Sequence, residues 1–168
     1  MAGVALALAL GTAIGIGLVR SDRQQPIITH WAGPGEVVAV RGMEFEFVSL
    51  EAVDYEPQGS SDPVPAGAVA LVAEFRQRLL EVPEERFDLS CDIRLENGPD
   101  SWARNFDVGY DLELSPECHP AEDERVTPGS ERTVSLAWVV PETAVDGARL
   151  AIRFYAGDPE GIGFDPAG

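Results

Sequence analysis

Residues 87–96 alternate without a break, Phe87, Leu89, Cys91, Ile93 and Leu95 against Asp88, Ser90, Asp92, Arg94 and Glu96. A period of two belongs to a strand with one buried and one wet face, and a helix buries at a period of 3.6. A chain written this way must find a second layer to cover its apolar faces.

The same period recurs along most of the chain. Val38 and Val40 open a first strand, and Met43, Phe45 and Phe47 then alternate with Glu44 and Glu46. The apolar parity next moves to Val48, Leu50 and Ala52, which signals a β-bulge or a change of sheet. Residues 55–67 hold three prolines and read as a loop. Val69, Leu71, Ala73 and Phe75 form the next buried face, and the apolar Ala70 and Val72 predict cover on both sides. Asn97-Gly98-Pro99 is a turn, with a short returning strand expected over 101–106 and another at Tyr110, Leu112 and Leu114. Residues 116–129 are a polar loop. Val134, Leu136, Trp138 and Val140 face inward until Pro141 ends the strand, and Leu150, Ile152 and Phe154 make the last one. Residues 76–86 have room for a short helix, which Pro83 limits. With about seven or eight strands and turn signals between them, the pattern predicts an all-β, immunoglobulin-like, two-sheet antiparallel β-sandwich over 36–156. The Gly- and Pro-containing stretch 157–168 is expected to be a frayed, flexible tail.

Residues 1–19 carry no charged side chain. At 1.5 Å rise per residue the run is long enough to cross a bilayer. It lacks a basic leader and ends Leu18-Val19-Arg20, a poor cleavage site, so an uncleaved transmembrane anchor is favoured over a signal peptide that is removed on secretion. Arg20 and Arg23 follow the span, which by the positive-inside rule alone would turn the domain inward; a basic segment upstream of Met1 is expected. Gly3, Ala7, Gly11 and Gly15 lie on one face, which allows weak helix-mediated dimerisation through the bilayer. Residues 20–35, including Pro26, Trp31, Gly33, Pro34 and Gly35, read as a juxtamembrane linker.

Twenty-nine acidic residues face twelve basic ones, all arginine, for a net charge of −17. That balance excludes nucleic acid as a partner, since phosphate contacts need clustered cations. The two cysteines, Cys91 and Cys118, read most simply as one disulfide in an oxidising compartment, facing outward across the membrane. Such a bond is worth about 3.5 kcal/mol and would staple the 116–129 loop to the core.

The strand Leu89-Ser90-Cys91-Asp92-Ile93-Arg94-Leu95, followed by Asn97-Gly98 and Trp102, stands ahead of a loop with Pro128-Gly129-Ser130 and a strand ending Val139-Val140-Pro141. Behind a membrane segment or signal, this order resembles the telokin-like, Ig-fold domains of unknown function in exported or membrane-anchored proteins of Gram-positive bacteria and actinobacteria. These are akin to the immunoprotective extracellular proteins of mycobacteria. The resemblance covers residues 35–155 and implies a sandwich outside the cytoplasm with no catalytic residues to carry over.

Candidate sites are few. Cys91, Cys118, His119 and His30 contain the ligand types of zinc, but their spacing is not that of a structural site. Glu84, Glu85 and Asp88, and Glu122, Asp123 and Glu124, could offer oxygen ligands to calcium, although no EF-hand pattern is present and a solvated loop is the default. No GxSxG occurs, and two histidines give little material for a catalytic triad. Trp138 reads as core, whereas Trp102, after a turn, is the candidate for an exposed ring. No cofactor and no enzymatic activity are expected. The expected role is an interaction or structural module at the cell surface, binding a protein or envelope component, with an accessory ligand- or calcium-binding domain as the alternative.

Overall fold

The structure, a computed structural model, describes residues 26–59, 61–81, 91–115, 117–118, 127–155 and 160–167. Two sheets face each other across one core. The first has the order β2-β3-β4-β7 and is antiparallel throughout, from β2 (Val37–Val40), β3 (Met43–Val53), β4 (Ala68–Leu79) and β7 (Glu131–Pro141). The second has the order β1-β9-β8-β5-β6, from β1 (Ile28–Ala32), β5 (Asp92–Asn97), β6 (Asp100–Ala103), β8 (Arg149–Phe154) and β9 (Glu160–Phe164). The period of two sets what each strand buries. Met43, Phe45, Phe47, Leu71, Ala73, Phe75, Val134, Leu136 and Trp138 turn inward from the first sheet, and Ile93, Leu95, Leu150, Ile152 and Phe154 meet them from the second.

The parity change in β3 is a bulge: the register with β4 slips between Phe47 and Ser49. It turns Val48 out to solvent and brings Leu50 back against the core. Cover on both sides of β4 is also present. Ala70 is buried on the outer surface with Ala137 and Val108, beside Val72 and Val139.

The disulfide Cys91–Cys118 is formed, with a Cα–Cα distance of 5.9 Å and 27 residues of separation. Cys91 leads into β5, while the Cys118 carbonyl accepts a 2.9 Å hydrogen bond from the buried Gln77 side chain of β4. The bond therefore ties the two sheets together. Residues 82–90 and 119–126, with the acidic clusters Glu84, Glu85, Asp88 and Glu122, Asp123, Glu124 and with His119, lie outside the described residues, as does the 1–19 run. Among the described residues no helix is long and apolar enough to cross a membrane.

Four expectations are corrected. The stretch read as linker, 20–35, contains β1, and the stretch read as tail, 157–168, contains β9. These two strands pair in parallel, Ile28 opposite Gly161 and Trp31 opposite Gly163. Phe164 is fully buried at the centre of an aromatic cluster, 5.4 Å from Phe75 and 6.2 Å from Phe47 between ring centroids. Glycine made this segment look like tail, but its glycines are packing positions. A Cβ on Gly163 would run into the Trp31 ring, and one on Gly161 would sit 2.8 Å from Ile28 Cδ1. The strand expected at Tyr110, Leu112 and Leu114 is instead a short helix, α1 (Phe106–Asp111), followed by a turn. Residues 76–79 belong to β4, so the helix allowed for at 76–86 does not begin there. Trp102 packs partly buried against the core, as a lone aromatic beside a loop more often does, and Trp138 is fully buried as expected.

Candidate functional site

Of the residues singled out in the sequence, Cys91 and Cys118 are consumed by their disulfide. His30 is exposed and bonded to Glu36, Nε2 to Oε1 at 2.7 Å. With the Gly33 N–H also donating to Glu36, its carboxyl is held below the usual range, the His30 bond being the larger cause. Among the described residues no three metal-ligating side chains converge.

The structure instead draws attention to α1. Asn105 starts it: its side chain accepts from the Val108 N–H at 3.0 Å, capping an otherwise orphaned donor. Its own N–H donates to the Ala137 carbonyl at 2.7 Å, and the Ser135 N–H donates to Ser115 O at 2.9 Å. The 105–115 segment thus ties down part of the free edge of β7, where open backbone groups would otherwise invite another strand. Val108 points down onto Ala70 and Ala137 and seals a second small apolar layer. The chain then leaves the helix through Glu113 at φ 54, with Leu114 N–H bonded to Gly109 O at 2.9 Å.

A clasp holds the far end of α1. Asp111 Oδ2 accepts from the Tyr55 hydroxyl at 2.5 Å and from the Gln58 N–H at 3.0 Å, while the Gln58 amide donates to the Asp111 carbonyl at 3.2 Å. These bonds, Tyr55 first, hold the Asp111 carboxyl below its ordinary range. The same bond pushes the Tyr55 phenol upward. The 55–58 loop and the helix are thereby fixed to one another.

What the clasp leaves open is a groove of about 420 Å³ between α1 and β7, floored by Leu114, Leu136 and Ala137. That volume is within the range of small-ligand and side-chain pockets. Two aromatic rings stand at its rim, Phe106 at 62% and Tyr110 at 85% exposure. The Arg104 guanidinium lies 4.5 Å from the Phe106 ring centroid and also reaches Glu117 at 3.4 Å. A water-facing Phe and Tyr one helical turn apart over an apolar floor can receive an apolar or aromatic group. Alternation alone hides this place, because it puts Phe106 at the end of a returning strand and Tyr110 on an inward strand face. The signal available was Asn105, a preferred helix-capping residue with Asp107 in the first turn.

No protein-family model matches the sequence, and no curated protein is similar to it. Several solved structures resemble this chain to different degrees. The yjhA protein of Bacillus subtilis has a TM-score of 0.52 at 14% identity, covering 80% of this chain and 98% of that one. An uncharacterised β-sandwich protein of Clostridium difficile 630 has a TM-score of 0.48 at 13% identity, covering 84% and 95%. A conserved hypothetical protein of Bacillus anthracis has a TM-score of 0.47 at 12% identity, covering 77% and 94%. The fold is shared with the Bacillus subtilis protein, and at that identity no activity comes with it.

Proposed function

We propose that this chain is a non-enzymatic binding module of immunoglobulin-like type, held on the outer side of a cell membrane by residues 1–19. It presents the α1 groove to a protein or cell-envelope component. The observation that carries the reading is the pair of exposed rings, Phe106 and Tyr110, over the apolar floor of that groove. Large aromatics at the rim of a preformed apolar cleft are the usual anchors of an interface. The Cys91–Cys118 bond supports the outward placement, since such bonds persist in oxidising compartments.

Site-specific photocrosslinking on intact cells tests the proposal. A photoreactive phenylalanine analogue at position 110 is expected to give one discrete adduct. The same analogue at the exposed Val37, on the β2 edge, is expected to give none, and Phe106→Ser is expected to abolish the adduct at 110. No adduct at 110, or equal labelling from 37, would overturn it. A calcium-dependent rise in melting temperature without any groove adduct would favour the accessory calcium-binding reading instead.

A further inference from the structure

The second sheet has a recess of different chemistry on its own outer face. Because Ile93, Leu95 and Ile152 turn inward, Arg94, Glu96 and Arg153 turn outward, and the β5–β6 turn raises Asp100 and Ser101 beside them. Tyr155, leaving β8, closes the other side, and together they bound a cavity of about 390 Å³. The side chains are held in place. Arg153 donates to Glu96 Oε1 at 2.5 Å, and these two side chains are only 11% and 21% exposed. Arg94 Nε donates to Ser101 Oγ at 2.8 Å and its Nη1 lies 3.8 Å from Asp92 Oδ2. Tyr155 is half exposed.

The chemistry of this recess selects a ligand class. Its two guanidiniums face the carboxylates of Glu96 and Asp100, with Asp92 beside Arg94, so it offers an anion no excess positive charge, and the chain's charge of −17 opposes one at long range. Among the described residues no three acidic, histidine or cysteine side chains converge on a cation. Side chains of a peptide would need apolar subsites, and the lining has little apolar surface besides the Tyr155 ring. A ligand with many hydroxyls fits, because each hydroxyl both donates and accepts and can bridge an arginine to a neighbouring carboxylate. The face also continues. Arg94 pairs with Ala151, Ala151 with Gly163 and Gly163 with Trp31, a row three strand spacings long, or roughly 14 Å. At its far end the Trp31 ring lies over Gly163, with the Arg149 guanidinium 5.2 Å from its centroid.

We propose that this face binds a neutral oligosaccharide. Tyr155 stacks on a sugar ring, and Arg94, Glu96, Asp100 and Ser101 share hydrogen bonds with its hydroxyls. Trp31, 36% exposed, marks the far end of the same face. This goes beyond the groove reading and uses the opposite outer face of the sandwich, so the two proposals stand or fall separately.

The test uses the full-length chain in detergent. It is applied to an array of neutral glucose-, N-acetylglucosamine-, mannose- and galactose-based oligosaccharides, with polygalacturonate as an anionic control. Positive sugars are then titrated by calorimetry and by amide NMR shifts. The expected result is binding to at least one neutral oligosaccharide, with shifts at Arg94, Ser101 and Tyr155. Tyr155→Ala should weaken binding by at least about tenfold, a difference of roughly 1.4 kcal/mol. Tyr155→Phe should retain most of the binding, and Phe106→Ser all of it. Ser101→Ala, at an exposed position, is a second variant should Tyr155→Ala melt early, and it should also weaken binding. No neutral sugar bound, binding of polygalacturonate alone, or shifts confined to the α1 groove would each overturn the proposal.

Discussion

Phe164 shows how much a single side chain near the chain end can carry. It is fully buried and touches both Phe47 and Phe75, so it joins the two sheets through ring contacts. Phe164→Ala is expected to cost about 3–5 kcal/mol, measured by urea denaturation, because a ring is lost from a close-packed site. A cost below about 1 kcal/mol would mean the segment is not packed as described. Gly163 offers a sharper check. Its Cβ would have to occupy space held by the Trp31 ring, so Gly163→Ala should destabilise by about 1–3 kcal/mol. In the background of Trp31→Ala the same substitution should cost much less, and a strictly additive double mutant would sink the contact. Such positions were not legible in the sequence. Gly161 and Gly163 carry no hydrophobic signal, and a two-residue period cannot register a side chain that must be absent.

Local elements show where pattern reading succeeds and where it is overruled. The strands with strict alternation, β3, β4, β5, β7 and β8, were all legible, down to the bulge that the parity change at Phe47 and Val48 announced. Residues 110–114 alternate equally well in sequence, yet Tyr110 stands in water and Leu112 follows a helix. Three alternating positions are too few to separate a strand from one and a half turns of helix. The Asn105 cap and the Asp111 clasp decide the matter. Asn105→Ala is expected to cost about 1 kcal/mol and to speed amide exchange in 106–111 selectively. The clasp also sets a pH dependence. Asp111 is depressed in the folded state, so its contribution is complete above the ordinary carboxylate pKa of about 3.9 and is lost as pH falls through the lower folded value. Tyr55 is raised, so its contribution is complete below about pH 10 and is lost as pH rises through the higher folded value. Amide exchange in α1 should therefore quicken in excess of the intrinsic pH trend on both acid and alkaline limbs. Asp111→Asn should flatten the acid limb, and an unchanged acid limb in that variant would remove the carboxylate from the account.

For the molecule as a whole, stability rests on how the two sheets are fastened. The Cys91–Cys118 bond closes 27 residues between them, and its reduction should lower stability by about 3.5 kcal/mol in matched urea titrations. An identical midpoint with and without reductant would show that the bond contributes nothing. The compartment is checked by intact mass after alkylation of the natively produced protein: both cysteines should resist labelling until reduced. Free thiols there would give weight to Arg20 and Arg23 and point the domain inward. The sequence alone determined the sandwich class, the inward sets of the long strands and the pairing of two cysteines. Each of these follows from local alternation or from having one partner available. Tertiary structure alone decided that β1 and β9 close the second sheet and that α1 caps β7. It also decided that two outer faces carry a groove and a polar recess. Those features depend on contacts between residues far apart in the chain, Trp31 with Gly163, Tyr55 with Asp111 and Glu96 with Arg153 across their strands, and no local period encodes them.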